Sequence, residues 1–132
     1  MAAGVKIFFD GGSRPAGMEW AVVVKGDVQV ERNLGLGTSM TAEWLALLAA
    51  MRIVRARSIT EPVLLGDAAA VIAQALGRVR CPPAHLDHLA AWRRLCEDIG
   101  PCRLRYVKRT QNLAGVALER LRGSGADPTS RQ

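Results

Sequence analysis

The sequence predicts an α/β protein with a mixed five-stranded sheet, in which three antiparallel strands are followed by parallel additions, flanked by about four helices. Three observations lead to this prediction. Short β-prone apolar runs crowd the first 36 residues, strand-type and helix-type segments alternate after residue 40, and glycine or proline separates most of these segments. An antiparallel meander followed by β-α-β units gives a mixed sheet with helices packed on it.

The first three strands are predicted at residues 5–9, 19–24 and 27–36. The first is apolar, and Gly11-Gly12 follow directly after Asp10. This pattern predicts a strand that ends at Asp10. The third alternates polar and apolar residues, and Lys25-Gly26-Asp27 before it suits a hairpin turn.

The second half of the chain is predicted to alternate between helices and strands. An Ala- and Leu-rich helix begins at Thr41, whose hydroxyl can cap it. The helix opened by Pro82 and Pro83 has an apolar face with three- and four-residue spacing, made of Leu86, Leu89, Trp92, Cys96 and Ile99. The predicted elements after residue 40 are helices at 41–57, 68–76, 82–99 and 112–122 and strands at 62–65 and 103–107.

Length and composition favour one domain over residues 1–122, followed by a flexible tail at 123–132 that has no apolar pattern. With 49% hydrophobic and 23% charged residues the chain can bury an ordinary core. No segment approaches the ~18 apolar residues of a membrane span, and no secretory signal precedes the first strand, so a cytoplasmic location is expected. The net charge of +6 favours a polyanionic partner.

Cysteine and histidine give little sign of a soft-metal site. The three cysteines, Cys81, Cys96 and Cys102, have no CxxC spacing, and reduced thiols are expected. His85 and His88 are three residues apart on a predicted helix, but no nearby residue completes a zinc set. The tryptophans are expected to pack in the core.

Three carboxylates stand at the ends of three different apolar segments. Asp10 and Asp67 follow strand-like runs, and Glu43 lies near the start of a helix. Carboxylates gathered from separate elements repel one another unless a cation lies between them, and a hard divalent ion such as Mg²⁺ prefers oxygen ligands. A shared metal site suited to phosphate-ester chemistry is therefore predicted. As single residues, the two aspartates and the glutamate also suit a turn, a helix cap and a first helical turn.

The chain resembles the ribonuclease H family, in its short bacterial and archaeal type I form. The resemblance covers nearly all of residues 5–121, in the family's order and spacing. It rests on four stretches: FFDGGSRP, TAEWLALLAAM, LLGDAAAVIAQ and YVKRTQNLAGVALERL. It implies a ribonuclease H-like fold and an endonuclease that cuts the RNA strand of RNA–DNA hybrids with Mg²⁺ or Mn²⁺. By resemblance, Asp10, Glu43 and Asp67 are the catalytic metal ligands, with Asp10 bridging two ions.

Three departures from the family pattern bear on the expected activity. The fourth acid of the family, four residues after the Asn of the QN pair, is replaced here by Val116, and Glu119 one turn later is a possible compensating acid. The paired Asn residues that contact the hybrid are replaced by Ser39 and Met40, and the serine of the GDS turn is Ala68.

Substrate contacts are expected around the strand-end loops. Gly11, Gly12 and Ser13 allow close approach of a phosphate or sugar, although a tight turn also explains them. The other candidate substrate contacts, each of which also suits ordinary surface, are Arg14, Ser39, Met40, Gln74, Lys108 and Arg109.

Val116 leaves two main functions open. One is a hybrid-cleaving nuclease with weakened activity, and the other is a catalytically impaired ribonuclease H-like module that binds nucleic acid. A third hypothesis is a nuclease of the same superfamily that acts on structured DNA. A monomer is expected, with no membrane partner.

Overall fold

The structure of the protein is a computed structural model that describes residues 4–125. The flexible tail predicted at 123–132 therefore lies mostly outside the described residues. The strands are β1 Val5–Arg14, β2 Gly17–Val24, β3 Asp27–Glu31, β4 Pro62–Gly66 and β5 Arg103–Tyr106. The helices are α1 Ser39–Ala56, α2 Ala69–Ala75, α3 Leu86–Ile99 and α4 Leu113–Arg120. Short 3₁₀ turns precede α3 and α4, and a π-helical turn, Leu121–Gly125, continues α4.

The predicted fold class is confirmed: five strands form one mixed sheet in the order β3-β2-β1-β4-β5. Strands β1, β2 and β3 are antiparallel neighbours, whereas β4 pairs parallel to β1, and β5 pairs parallel to β4. The larger apolar cluster joins one face of the sheet to α1, α2 and α3. The smaller cluster joins the other face to α4, through Ala21, Val23, Ala114 and Leu118.

The prediction that β1 ends at Asp10 is wrong. The strand continues through Gly11-Gly12 to Arg14, because β2 supplies a backbone partner for every residue from Ile7 onward. The two glycines are strand residues here and do not form a turn. A β-carbon on Gly11 would overlap the Ala42 backbone, so the missing side chain lets α1 press directly against β1.

Several predicted boundaries also shift. Strand β3 ends at Glu31 rather than at Leu36, which is 81% exposed and has no pairing register. Thr41 does not cap α1; its N–H donates to the hydroxyl of Thr38, which is the cap residue (3.1 Å). Leu86 is exposed at the start of α3, and Leu95 takes a buried position on that helix instead.

Other expectations are confirmed. Asn112 caps α4, its side-chain oxygen accepting from the N–H of Ala114 at 3.1 Å, and Gly100 ends α3. Trp44 and Trp92 are buried, and Trp20 packs half-buried against the same core. The three cysteines are free thiols.

Within residues 4–125, no helix is long and apolar enough to cross a membrane.

Candidate metal centre

Asp10, Glu43 and Asp67 meet at one point of the fold. Each is half-buried, and one carboxylate oxygen from each lies within 4.8 Å of the others. Pairing between β1 and β4 stops at Phe8 and Leu65, and Asp10 and Asp67 each lie two residues beyond that pair. Because side chains alternate along a strand, this equal spacing puts both aspartates at the same level of the sheet.

The third carboxylate is fixed by the close contact of α1 with β1. Oε1 of Glu43 accepts a hydrogen bond from the Gly11 N–H at 2.9 Å, so Glu43 is tied to the residue directly after Asp10. The bare backbone of Gly11 makes this approach possible. The sequence thus places the acid by packing a glycine against the first turns of a helix.

The electrostatics of the cluster indicate a place for a cation. Burial, followed by the neighbouring Asp10 charge, raises the pKa of Glu43 to about 9, while the Gly11 N–H opposes the rise. Burial and the charge of Asp67 raise the pKa of Asp10 to about 6, against the opposing effects of Glu43, Arg109 and Arg122. Without a cation, one proton stays on Glu43 and is shared with Asp10; a divalent ion would replace it.

The geometry fits a hard divalent ion. Two oxygens bound to one Mg²⁺ at about 2.1 Å lie roughly 3–4 Å apart. The three carboxylate oxygens are already close to that separation, within 4.8 Å. In the described part of the chain, no other group of three acidic, cysteine or histidine side chains is this close. His85 and His88 approach each other at 3.3 Å between their Nδ1 atoms, without a third ligand.

Helix α4 closes the site from the other face of the sheet. The buried side chain of Asn112 donates to the carbonyl oxygen of Phe9 at 3.0 Å, which ties the start of α4 to the residue before Asp10. A β-carbon on Gly115 would lie 3.4 Å from Oδ2 of Asp10. Val116 is the next residue and brings no oxygen to the site. Glu119 is exposed and does not join the carboxylate group, so it does not compensate for Val116 in this structure.

The expected substrate contacts divide into outward-facing and buried residues. Ser13, Ser39, Lys108 and Arg109 are exposed, and Arg109 is near enough to Asp10 to lower its carboxyl pKa. The Ser13 hydroxyl donates to the Gly37 carbonyl, which ties β1 to the loop before α1. Gly12 and Arg14 are half-buried, and Gly11 is buried beneath α1.

Gln74 is placed differently from the exposed position that was expected. It is 5% exposed, and its Oε1 accepts from Nε1 of Trp44 at 3.1 Å. Its Nε2 donates to the Met40 sulfur at 3.7 Å. The amide is therefore used inside the fold to hold α1 against α2, and the structure does not present it to a substrate.

Sequence reasoning missed three charged residues on the α4 face. Glu19 on β2 is only 2% exposed, and both its oxygens bind arginine: Oε1 binds Nε of Arg32 at 3.2 Å and Oε2 binds Nε of Arg122 at 2.7 Å. The signal available was an acid inside the apolar strand GMEWAVVV. A charge in such a run is almost never buried unless it is paired.

Solved structures similar to this chain include ribonucleases H, whereas no family model and no curated protein sequence matches it. RNase H1 from the halophilic archaeon Halobacterium salinarum NRC-1 is 25% identical (TM-score 0.75; coverage 88% of this chain, 94% of that one). The N-terminal RNase H domain of a Mycobacterium tuberculosis protein is 24% identical (TM-score 0.74; 88% and 95%).

A third similar structure contains nucleic acid. LC11-RNase H1, isolated from compost by a metagenomic approach, was solved in complex with an RNA/DNA hybrid. It is 17% identical to this chain, with a TM-score of 0.70 and coverage of 82% and 88%. The strand order, the helix placement and these three likenesses agree with the motifs read from the sequence. The chain therefore has the ribonuclease H fold.

Proposed function

We propose that this protein is a divalent-metal-dependent endonuclease that hydrolyses the RNA strand of RNA–DNA hybrids. The observation that carries the proposal is the meeting of Asp10, Glu43 and Asp67 within 4.8 Å on a ribonuclease H sheet. The net charge of +6 supports a polyanionic substrate.

Asp10, Glu43 and Asp67 would hold Mg²⁺ or Mn²⁺, since carboxylates are the ligands that hard divalent ions prefer. When bound, the ion supplies charge stabilisation at the reacting phosphate and lowers the pKa of coordinated water. Hydrolysis forms a bond from the water oxygen to phosphorus and breaks the bond from phosphorus to the 3′ oxygen. The water loses a proton and the 3′ oxygen gains one, which leaves 5′-phosphate and 3′-hydroxyl ends.

The protein's own residues would bring the scissile phosphate to this point. Gly12 and Ser13 border the carboxylates on β1, and the exposed Arg109 can pair with a backbone phosphate. LC11-RNase H1 was solved with an RNA/DNA hybrid, which supports the same kind of substrate here. A groove of about 240 Å³ beside Glu43 would accommodate part of the neighbouring nucleotide.

The groove offers a substrate few hydrogen bonds. It is lined by Ser39, Met40, Glu43 and a run of alanine and valine at 68–71. Ser39 is exposed and can donate or accept, but the Met40 thioether is only a weak acceptor and already meets Gln74. Weak recognition and low turnover are therefore expected compared with an enzyme that carries asparagine at these positions.

A catalytically impaired binding module is the second candidate, and Val116 favours it. The helix that closes the site brings no carboxylate to it, since Glu119 is exposed. Val116→Asp discriminates between the two functions. A large gain in cleavage would show a nuclease limited by one missing ligand, whereas hybrid binding without cleavage in both proteins would favour the module.

We further propose that the protein is a monomer. The two edge strands are short, and the outer strand β5 carries exposed Arg103 and Arg105, whose charges oppose pairing with another sheet edge. Sedimentation measurements in moderate salt would test this proposal, and a concentration-dependent dimer would contradict it.

The substrate is tested with a panel of duplexes of one sequence. RNA–DNA hybrid, double-stranded RNA, double-stranded DNA and single-stranded RNA are each labelled on one strand at a time and incubated with Mn²⁺. The proposal expects cuts only in the RNA strand of the hybrid. Preferential cleavage of a DNA strand would contradict the proposed substrate and would favour a nuclease that acts on another nucleic acid.

A further inference from the structure

The guanidinium of Arg122 lies beside the carboxylate cluster, on the backbone of Gly12. A β-carbon on Gly12 would overlap Nη2 of Arg122, so only glycine leaves room for this contact. Gly12 and Asp10 are two residues apart on β1, and side chains at that spacing point to the same face of a strand. Arg122 therefore brings a positive charge to the face of β1 from which Asp10 projects.

Glu19 fixes the position of this charge. It is the register partner of Gly12 on β2, and its side chain is only 3% exposed. Its Oε2 binds Nε of Arg122 at 2.7 Å, and Arg32 binds the other oxygen at 3.2 Å. One buried carboxylate between two guanidinium groups leaves a net positive charge, and the side chain of Arg122 is still 29% exposed.

The α4 side of the site therefore carries a net positive charge, and α4 itself brings no carboxylate to it. Gly115 lies against Asp10, but Val116 supplies no carboxylate, and the acid nearest along the helix, Glu119, is exposed. Arg122 at the end of the same helical segment reaches back to β1 instead. A guanidinium repels a second cation, and it can itself pair with a phosphate through two parallel N–H bonds.

We propose that Arg122, held by Glu19, supplies the second positive charge of this site, so that one divalent ion rather than two is bound. In this arrangement the Nη groups of Arg122 contact non-bridging oxygens of the scissile phosphate, while the ion occupies Asp10, Glu43 and Asp67. The inference rests on the proposed function and extends it to the number of ions and the residue that replaces one of them. Preorganised donors of this kind stabilise the charge of a phosphoryl transition state.

Metal binding tests the inference without relying on turnover. Mn²⁺ is titrated into the wild type, Arg122→Gln and Arg32→Gln, with calorimetry for stoichiometry and electron paramagnetic resonance for free Mn²⁺. Arg32→Gln is the matched control, because it removes one ion pair of Glu19 but leaves the charge over Gly12. One Mn²⁺ per wild-type chain is expected. In Arg122→Gln the Kd for Mn²⁺ should fall about threefold or more, since a nearby positive charge is gone.

Cleavage supplies the second readout. At saturating Mn²⁺, hybrid cleavage by Arg122→Gln should fall about 100-fold, as for the loss of one transition-state donor, while Arg32→Gln stays within about twofold of wild type. Tighter metal binding together with slower cleavage is not expected from a residue that only supports the fold. Should Arg122→Gln fail to fold, Arg122→Lys keeps the charge and should retain the wild-type Kd for Mn²⁺ with reduced cleavage.

Three results would overturn the inference: two Mn²⁺ ions bound to the wild type, unchanged or weaker Mn²⁺ binding in folded Arg122→Gln, or undiminished cleavage by that variant. If the wild type cleaves no hybrid, the proposed nuclease fails. The stoichiometry and the direction of the Kd change still decide whether Arg122 acts on the metal site.

Discussion

The Glu43 side chain bears a large electrostatic cost in the metal-free protein. It is half-buried, it faces Asp10 and Asp67, and its pKa rises to about 9. Its Oε1 is nevertheless needed, because it accepts the Gly11 N–H at 2.9 Å. A glutamine keeps the shape and this acceptor and is already neutral, so the protein folds without the proton uptake that Glu43 requires near neutral pH.

Glu43→Gln should therefore stabilise the metal-free protein by roughly 1–2 kcal/mol near neutral pH, and should remove most of its stabilisation by Mg²⁺. Urea unfolding with a chelator and with excess Mg²⁺ measures both effects. Glu43→Ala is the control, since it loses the Gly11 acceptor and is expected to be destabilised. A glutamine variant less stable than wild type with chelator would contradict the electrostatic account.

At this scale, the carboxylates could be predicted from sequence and the ion pairs could not. Asp10 and Asp67 each follow a recognisable apolar strand, which is a local signal. The pairing of Glu19 with Arg122 joins residues 103 apart in sequence. It depends on the register between β1 and β2 and on where α4 ends. Neither can be read from the pattern of residue types along one sequence. The position of Gln74 was missed for the same reason, since its partner Trp44 is on another helix.

At the scale of elements, Asn112 joins α4 to the strand that carries Asp10. Its oxygen caps the helix, and its nitrogen donates to the Phe9 carbonyl, with the whole side chain buried. Because both bonds are buried, losing the side chain leaves a helix donor and a strand acceptor without partners. Asn112 therefore adds two buried polar contacts to the apolar cluster that holds α4 against the sheet beside Asp10.

Asn112→Ala should cost roughly 2–4 kcal/mol of stability, the sum of a lost cap and a lost buried hydrogen bond. Thr38→Ala is the matched control, because Thr38 makes an exposed cap hydrogen bond to the Thr41 N–H, and about 1 kcal/mol is expected for it. Equal losses in the two variants, measured by urea unfolding, would show that the bond to Phe9 contributes nothing.

Element order was predictable, but element ends were less so. The Gly11-Gly12 pair suggested that the first strand ends there. Strand β2 nevertheless pairs with β1 through both glycines, so β1 extends to Arg14. Conversely, the alternation that suggested a strand to Leu36 continues beyond the last paired residue of β3, Glu31. Partner strands decide where a strand ends, and their length is a tertiary property.

For the whole molecule, the raised carboxyl pKa values predict how stability changes with pH. The ordinary values are 3.8 for Asp10 and 4.5 for Glu43, but in the folded protein they rise to about 6 and about 9. Between the ordinary pKa and the raised pKa of each group, the folded state binds more protons than the unfolded state. This contribution to stability is therefore complete below about pH 4 and is lost as the pH rises through 6 and 9.

Mg²⁺ should reverse that loss, because it replaces the protons at the same oxygens. We expect the increase in Tm on adding Mg²⁺ to be small near pH 5 and to grow toward pH 9. Thermal unfolding over this range, with and without Mg²⁺, measures the increase. Asp10→Asn should show a much smaller one, and an equal increase at both ends of the range would contradict the account.

Asp10, Glu43 and Asp67 are proposed to make this ribonuclease H fold a metal-dependent nuclease. The most direct test is the rate of cleavage of a labelled RNA–DNA hybrid by the wild type and by Asp10→Asn, in Mg²⁺, in Mn²⁺ and in chelator. We expect the wild type to cut the RNA strand only when metal is present, leaving 3′-hydroxyl ends, and we expect no cuts by Asp10→Asn. Hybrid binding without cleavage in either metal would contradict this proposal and leave a binding module.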